Sequence, residues 1–217
     1  MKKKCVIFDL DGTLIDSLSD VLAAINLTLA EHDLPHMSRE NVRQMIGPNA
    51  GLLITTAVEG TGLDRDAFYD RFRFHYYKRL TETTTLYSGM REILDFLKEK
   101  EVLMGVLTNK PERSASLILN ELQVMSFFEL VIYPETLNVI KPDPRGLIHM
   151  MKQMAVSPDE TLYIGDTQID IETAKGANVD VVALSTGYRT QDELSAHTPR
   201  YLVASIEELA QLIETLV

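Results

Sequence analysis

Two aspartates, Asp9 and Asp11, close a short apolar run, Cys5-Val6-Ile7-Phe8, and are followed at once by Gly12 and Thr13. In an extended chain, residues two apart project to the same side, so the two carboxylates repel each other unless positive charge sits between them. A divalent cation is the simplest remedy. Gly12 permits a sharp turn with backbone close to a ligand, and Thr13 brings a hydroxyl and an amide, so the same turn suits an anion. The segment also reads as a plain Asp-Gly turn capping a strand.

Three more polar stations follow apolar runs. Val106-Leu107 leads into Thr108-Asn109-Lys110-Pro111, where a hydroxyl, an amide and backbone N–H groups meet the start of a helix, a natural place for an anion and equally a simple N-cap with proline in the first turn. Lys141 follows Val139-Ile140 and is stiffened by Pro142 and Pro144; its ordinary alternative is an exposed loop lysine. Leu162-Tyr163-Ile164-Gly165-Asp166 ends a strand and opens a helix, on which Asp166 and Asp170, four apart, share a face. Asp170 would also complement a helix dipole. The histidines, His32, His36, His75, His149 and His197, are scattered without ligand-like spacing and read as surface or packing residues.

The elements that must carry these groups alternate. Strands are expected at Val102 to Leu107, Leu130 to Tyr133, Thr161 to Ile164 and Val181 to Leu184. Helices are expected at Met90 to Lys100, Pro111 to Leu122, Arg145 to Met154 and Thr167 to Asn178. Capping boxes at Thr190 to Glu193 and Ser205 to Glu208 start two more around a brief strand at Tyr201 to Val203. This pattern builds an α/β fold with a doubly wound parallel sheet, in which ligands bind beyond the carboxyl ends of the strands. Between Ser17 and Leu80 the spacing is helical instead, with breaks at Pro35 and Gly47-Pro48 and no visible strand. The expected organisation is a core of residues 1–14 and 84–217 interrupted by a helical cap, 15–83, with flexible junctions near Leu14 to Asp16 and Thr83 to Leu86.

Composition narrows the partners. The 217 residues carry 21 Lys and Arg against 32 Asp and Glu, a net charge of −11, which argues against nucleic acid or anionic membrane as partners. The single cysteine, Cys5, lies in a buried strand, so no disulfide framework exists and a reducing, cytoplasmic setting is expected. No apolar run approaches the roughly 18 residues of a spanning helix, and the basic start gives way to Asp9 too soon for a signal peptide. Oligomeric state is left open.

With these stations in this order, the chain resembles the haloacid dehalogenase superfamily of phosphatases over essentially its whole length. Asp9-Leu10-Asp11-Gly12-Thr13 is similar to the family's first motif, Thr108 to its second, Lys141 to its third, and Gly165-Asp166 with Asp170 to its fourth. The helical insert is similar to the family's small α-helical cap on a Rossmann-like core. Leu107-Thr108-Asn109-Lys110-Pro111, the Ile46-Gly47 turn and Thr186-Gly187-Tyr188 are most similar to phosphoglycolate phosphatases.

The resemblance implies a Mg2+-dependent phosphomonoester hydrolase acting on a small phosphorylated metabolite, 2-phosphoglycolate first among candidates. Asp9 is then the nucleophile of an aspartyl-phosphate intermediate, and Asp11 the acid that protonates the leaving oxygen and the base that activates water. Gly12, Thr13, Thr108, Asn109 and Lys141 hold the phosphoryl group. Asp9, the Asp11 backbone carbonyl and Asp166 hold the metal, with Asp170 acting through water or orienting Lys141. Asn49, in the Gly47-Pro48-Asn49-Ala50-Gly51 turn, is the candidate cap residue facing the leaving group, although an ordinary interhelical turn has the same composition. The cap charges Arg43, Arg71, Arg73 and Lys78 read mainly as solvated. A sugar-phosphate mutase of β-phosphoglucomutase type, an inorganic pyrophosphatase or a nucleotidase shares such a core, and a receiver-like phosphoacceptor domain or a catalytically dead binding module is the non-enzyme alternative.

Overall fold

The computed structural model describes residues 2–47 and 50–217. At its centre β1 (Cys5–Phe8) pairs in parallel with β4 (Leu103–Leu107) on one side and β6 (Thr161–Gly165) on the other, so that Phe8 lies opposite Val106 and Ile164. Beyond these come β5 (Leu130–Ile132) on one flank and β7 (Asp180–Leu184) and β8 (Tyr201–Val203) on the other, in the order β5-β4-β1-β6-β7-β8. The direction of winding reverses at β1, which makes its carboxyl end the switch point where parallel sheets bind ligands.

The apolar run of β1 lacks alternation because both of its faces are covered. Val6 and Phe8 join one core with Met104, Val106, Leu162 and Ile164, beneath α5 (Met90–Glu99), α6 (Glu112–Glu121) and α11 (Ile206–Leu216). Cys5 and Ile7 join the other with Tyr163, Val181 and Ala183, against α8 (Arg145–Gln153) and α9 (Gln168–Gly176). Burial pushes the Cys5 thiol up to about 12, which suits a packing role. No helix among the described residues is long and apolar enough to cross a membrane.

Between β1 and β4 the chain forms α1 (Leu18–Ala30), α2 (Arg39–Met45), α3 (Ala50–Val58) and α4 (Arg65–Lys78), which pack mainly on one another. Ser38 and Asp64 cap α2 and α4 by accepting from Asn41 N and Ala67 N. Ile25, Phe68, Phe72 and Tyr76 supply buried apolar bulk, with the Phe72 and Tyr76 rings stacked at 5.7 Å.

The junctions of this helical unit differ from the expectation of two flexible tethers. Ile15–Asp16 (β2) and Thr85–Leu86 (β3) pair antiparallel, placing Ile15 opposite Leu86, and Tyr87 N donates to Leu14 O at 3.1 Å. Two-residue strands carry no readable periodicity, so the sequence could not announce this ribbon. Asp20, buried in the first turn of α1, reinforces it. Its carboxylate accepts from Thr83 N and Oγ1 (3.0 and 2.7 Å) and from Thr84 N and Oγ1 (2.8 and 2.7 Å). A short helix, α7 (Pro134–Leu137), was likewise invisible in the pattern; apart from their ragged ends, the principal core elements fall where the periodicity puts them.

Replacing Asp20 by alanine strands these donors in a buried place, which should cost about 2–4 kcal/mol of stability. Urea unfolding of Asp20→Ala checks this; a loss below about 1 kcal/mol would show that the ribbon does not depend on the carboxylate.

Candidate active site

The site is assembled where β1, β4 and β6 end. Asp9 N donates to Ile164 O at 2.8 Å, continuing the ladder one residue past β1 and fixing the Asp9 side chain at the sheet edge. Its Oδ1 accepts from Leu10 N at 2.7 Å and lies 2.7 Å from Lys141 Nζ. Lys141 also reaches Asp170 Oδ1 at 2.6 Å. Asp9, Asp166 and Asp170 are all buried, and an oxygen of each lies within 4.8 Å of the others.

Each member of this cluster has specific partners, local for Asp170 and distant in sequence for Asp166. Asp170 is the third residue of α9, so it closes a capping box. Its Oδ2 accepts from Thr167 N (3.0 Å) and Thr167 Oγ1 (2.7 Å), and its Oδ1 also from the Tyr163 hydroxyl at 3.0 Å. Asp166 accepts from Tyr188 N at 2.6 Å and from Thr13 Oγ1 at 3.3 Å. Gly12 has φ +85°, and a Cβ there would lie 2.2 Å from Asp166 Oδ2, so only glycine lets the turn approach this carboxylate. Gly187 is required for the same reason, since its Cβ would meet Gly12 O at 2.2 Å.

Asn109 borders the cavity and also braces the backbone of Lys141. Its Oδ1 accepts from Lys141 N at 2.8 Å and its Nδ2 donates to Lys141 O at 3.1 Å, clamping the backbone that carries the lysine. Thr108 is buried beside it, with Oγ1 accepting from Lys110 N at 3.0 Å.

Asp11 is close by but turned away. Its carboxylate is bound by Lys110 Nζ at 2.9 and 3.1 Å and by the Ser17 hydroxyl, and it stands outside the three-aspartate group. Any part for Asp11 in holding a metal therefore rests on its backbone carbonyl. Sequence reading gave no role to Lys110 or Ser17. Lys110 sat inside the Thr108-Asn109-Lys110 segment, but nothing in that spacing pairs it with a residue 99 positions away. Asn49 falls outside the described residues.

Electrostatics make the cluster a fitting place for a cation. Burial, the Asp170 charge adding to it, raises Asp9 to about 7 even though Lys141 pulls the other way. Burial and the charges of Asp170 and Asp9 raise Asp166 well above the carboxylate range. Burial works against the charge on Lys141, yet Asp170 and Asp9 hold it above its ordinary range. One ammonium faces three buried carboxylates, all hard oxygen donors, which fits a small divalent cation.

A cavity opens from this edge between the sheet and the helical unit. Asp9, Asp11, Thr108 and Lys110 border it on one side, Ile46 and Tyr76 on the other. Of the charges on the helical unit, Arg71 is bound by Glu31, Lys78 lies over the Phe74 ring, Arg43 is held by Glu40, and Arg73, paired with Asp70, reaches the rim.

Residues 6–184 match the haloacid dehalogenase-like hydrolase family. A Pseudomonas putida protein named phosphoglycolate phosphatase is 35% identical over 213 residues, covering 95% of this chain and 78% of its own. A Rhodospirillum rubrum protein of the same name is 38% identical over 194 residues, covering 85% and 80%. A crystal structure from Haemophilus somnus, described as a predicted phosphoglycolate phosphatase, superposes with a TM-score of 0.92 at 29% identity, covering 98% of each chain.

The shifted Asp9 makes a pH prediction. Without metal, the folded protein keeps the Asp9 proton up to about 7, whereas a free aspartate releases it near 3.8, so stability falls as pH rises across that window. A divalent cation competes with that proton. Thermal melts with MgCl2 should therefore show an upward shift that is larger at about pH 8 than at about pH 5 and is lost in Asp166→Asn. A shift independent of both pH and Asp166 would place cation binding elsewhere.

Proposed function

The chain belongs to the haloacid dehalogenase-like hydrolase family and is a phosphatase, and from that premise we propose that it hydrolyses a small phosphate monoester, 2-phosphoglycolate first, through an aspartyl-phosphate on Asp9. The observation that carries this reading is the Asp9 carboxylate at the switch point of the sheet, pinned through one oxygen by Lys141 and Leu10 N. Both contacts fall on Oδ1, so Oδ2 is the oxygen assigned to attack phosphorus. Lys141 and Thr108 then face the oxygens over which charge spreads, and Asn109 and Asp170 keep Lys141 from moving. The fixed orientation removes much of the entropic cost of bringing nucleophile and phosphorus together.

Asp11 completes the cycle in this reading. It leaves Lys110 and Ser17, takes up a proton from solvent and gives it to the departing alcohol oxygen as the P–O bond breaks, and later takes one from the water that attacks the aspartyl-phosphate. That second displacement releases inorganic phosphate and restores the Asp9 carboxylate. Asp9, the Asp11 carbonyl and Asp166 would hold Mg2+, which would supply neutralisation of the negative charge gathered there. Residues 15–83 act as the cap over the leaving group. The names of the Pseudomonas putida and Rhodospirillum rubrum relatives support phosphoglycolate as the substrate.

Phosphate release from a panel of phosphorylated metabolites with Mg2+ present tests the reading, with 2-phosphoglycolate expected among the best and rearranged sugar phosphate pointing to a mutase instead. Asp9→Asn should keep its fold and lose at least about three orders of magnitude in kcat, because the amide cannot form the covalent intermediate. Wild-type turnover in that variant would remove Asp9 from the mechanism.

A further inference from the structure

The loop after β7 sends two neighbouring residues in opposite directions. Tyr188 faces the acids: its N donates to Asp166 Oδ2 at 2.6 Å, and its hydroxyl lies 3.2 Å from the Ser17 Oγ that holds Asp11. Arg189 faces the helical unit. Its guanidinium, though buried, donates from Nη1 to Arg43 O (3.1 Å) and Tyr188 O (3.0 Å) and from Nη2 to Gln44 O (2.9 Å) and Ile46 O (3.4 Å).

Arg43, Gln44 and Ile46 are the end of α2, where the last carbonyls of a helix have no intrahelical donor and the dipole is negative. A planar fork of N–H groups from across the cleft satisfies several of them at once. The contact is returned, since Arg43 Nη1 donates to Tyr188 O and Asn109 Nδ2 reaches Gly47 O at 3.2 Å. Ile46 and Gly47, just past the clamped helix end, border the cavity that holds Asp9 and Asp11. The helical unit has its own apolar core, with Ile25, Phe68 and Phe72 among its members.

We propose that Arg189 is a positioning residue that latches the end of α2, and with it Ile46 and Gly47, down over the reaction cavity. It holds the closed arrangement by binding backbone rather than substrate, and it shares a loop with the residue that braces Asp166. The latch rests on the phosphate-ester reading only in that closure must matter to turnover. It makes no demand on which ester is used.

The test is steady-state hydrolysis by Arg189→Ala and Arg189→Lys, using 2-phosphoglycolate or, if the wild type prefers another phosphate ester, that ester. A wrong substrate then shows in the wild type and does not count against the latch. Arg189→Ala should melt close to the wild type while KM rises about tenfold or more and kcat falls less, because weaker closure first costs retention of substrate. Millimolar guanidinium chloride should restore part of the lost kcat/KM by refilling the vacated site. Arg189→Lys keeps the charge but lacks the fork, and should show the same KM rise in milder form. A folded Arg189→Ala with wild-type kcat/KM overturns the proposal, as does a loss that guanidinium leaves untouched or one that follows a collapsed melting temperature.

Discussion

Three carboxylates share one buried corner of this protein with a single ammonium group, and most of what surrounds the sheet edge serves to make that tolerable. Like charges in a place of low polarity raise each other's proton affinity, and an uncompensated buried charge is among the most destabilising features a fold can carry. The response is visible residue by residue. Asp170 takes hydrogen bonds from Thr167 and Tyr163 and gives its remaining attraction to Lys141, while Asp166 is bound by Tyr188 N and Thr13. Asp9 is held through Oδ1 alone, by Leu10 N and Lys141, which in the proposed reading leaves Oδ2 for attack on phosphorus.

How much of this could be read from the sequence depends on the range of the information. Asp9, Thr108 and Asp166 were legible because each directly follows an apolar strand, and in a parallel sheet all such ends point to one edge; Lys141 was singled out by the Val139-Ile140 run, which is loop beyond α7 and not a strand. Their convergence is a property of the fold class, not of any one residue. Asn109 was placed at the site, and the structure adds that its amide clamps the backbone of Lys141, a contact 32 residues away that no spacing announces. Lys110, Ser17 and Tyr188 were missed as a network. The Lys110 contact to Asp11 and the Tyr188 contact to Ser17 span 99 and 171 residues, and no periodicity records a pairing at that distance.

The helical unit shows the same limit from another side. Its existence followed from the change of period after Leu14, but its attachment did not, because two residues of β2 opposite two of β3 leave no pattern. That ribbon changes what motion means here. Two independent tethers would allow the unit to swing and twist freely, whereas paired tethers stapled by Asp20 restrict it to displacements the ribbon can carry as one piece. In the proposed aspartyl-phosphate reading a restricted hinge is useful, since it would return the unit to the same closed position in every cycle.

The two ends of that motion are therefore held by different physics. Where the helical unit joins the core, a short strand pairing, open to solvent at Thr85, is backed by the buried Asp20 carboxylate on Thr83 and Thr84. Across the cleft, the Arg189 guanidinium meets carbonyl oxygens, which water can bind almost as well once the helix end moves away. The net gain of such a contact is small although its geometry is demanding, so it can define the closed position without making it irreversible. In the proposed mechanism phosphoryl transfer uses the closed position and hydrolysis of the aspartyl-phosphate lets water enter. A strong hinge opposite a weak, directional latch satisfies both with a single helical unit.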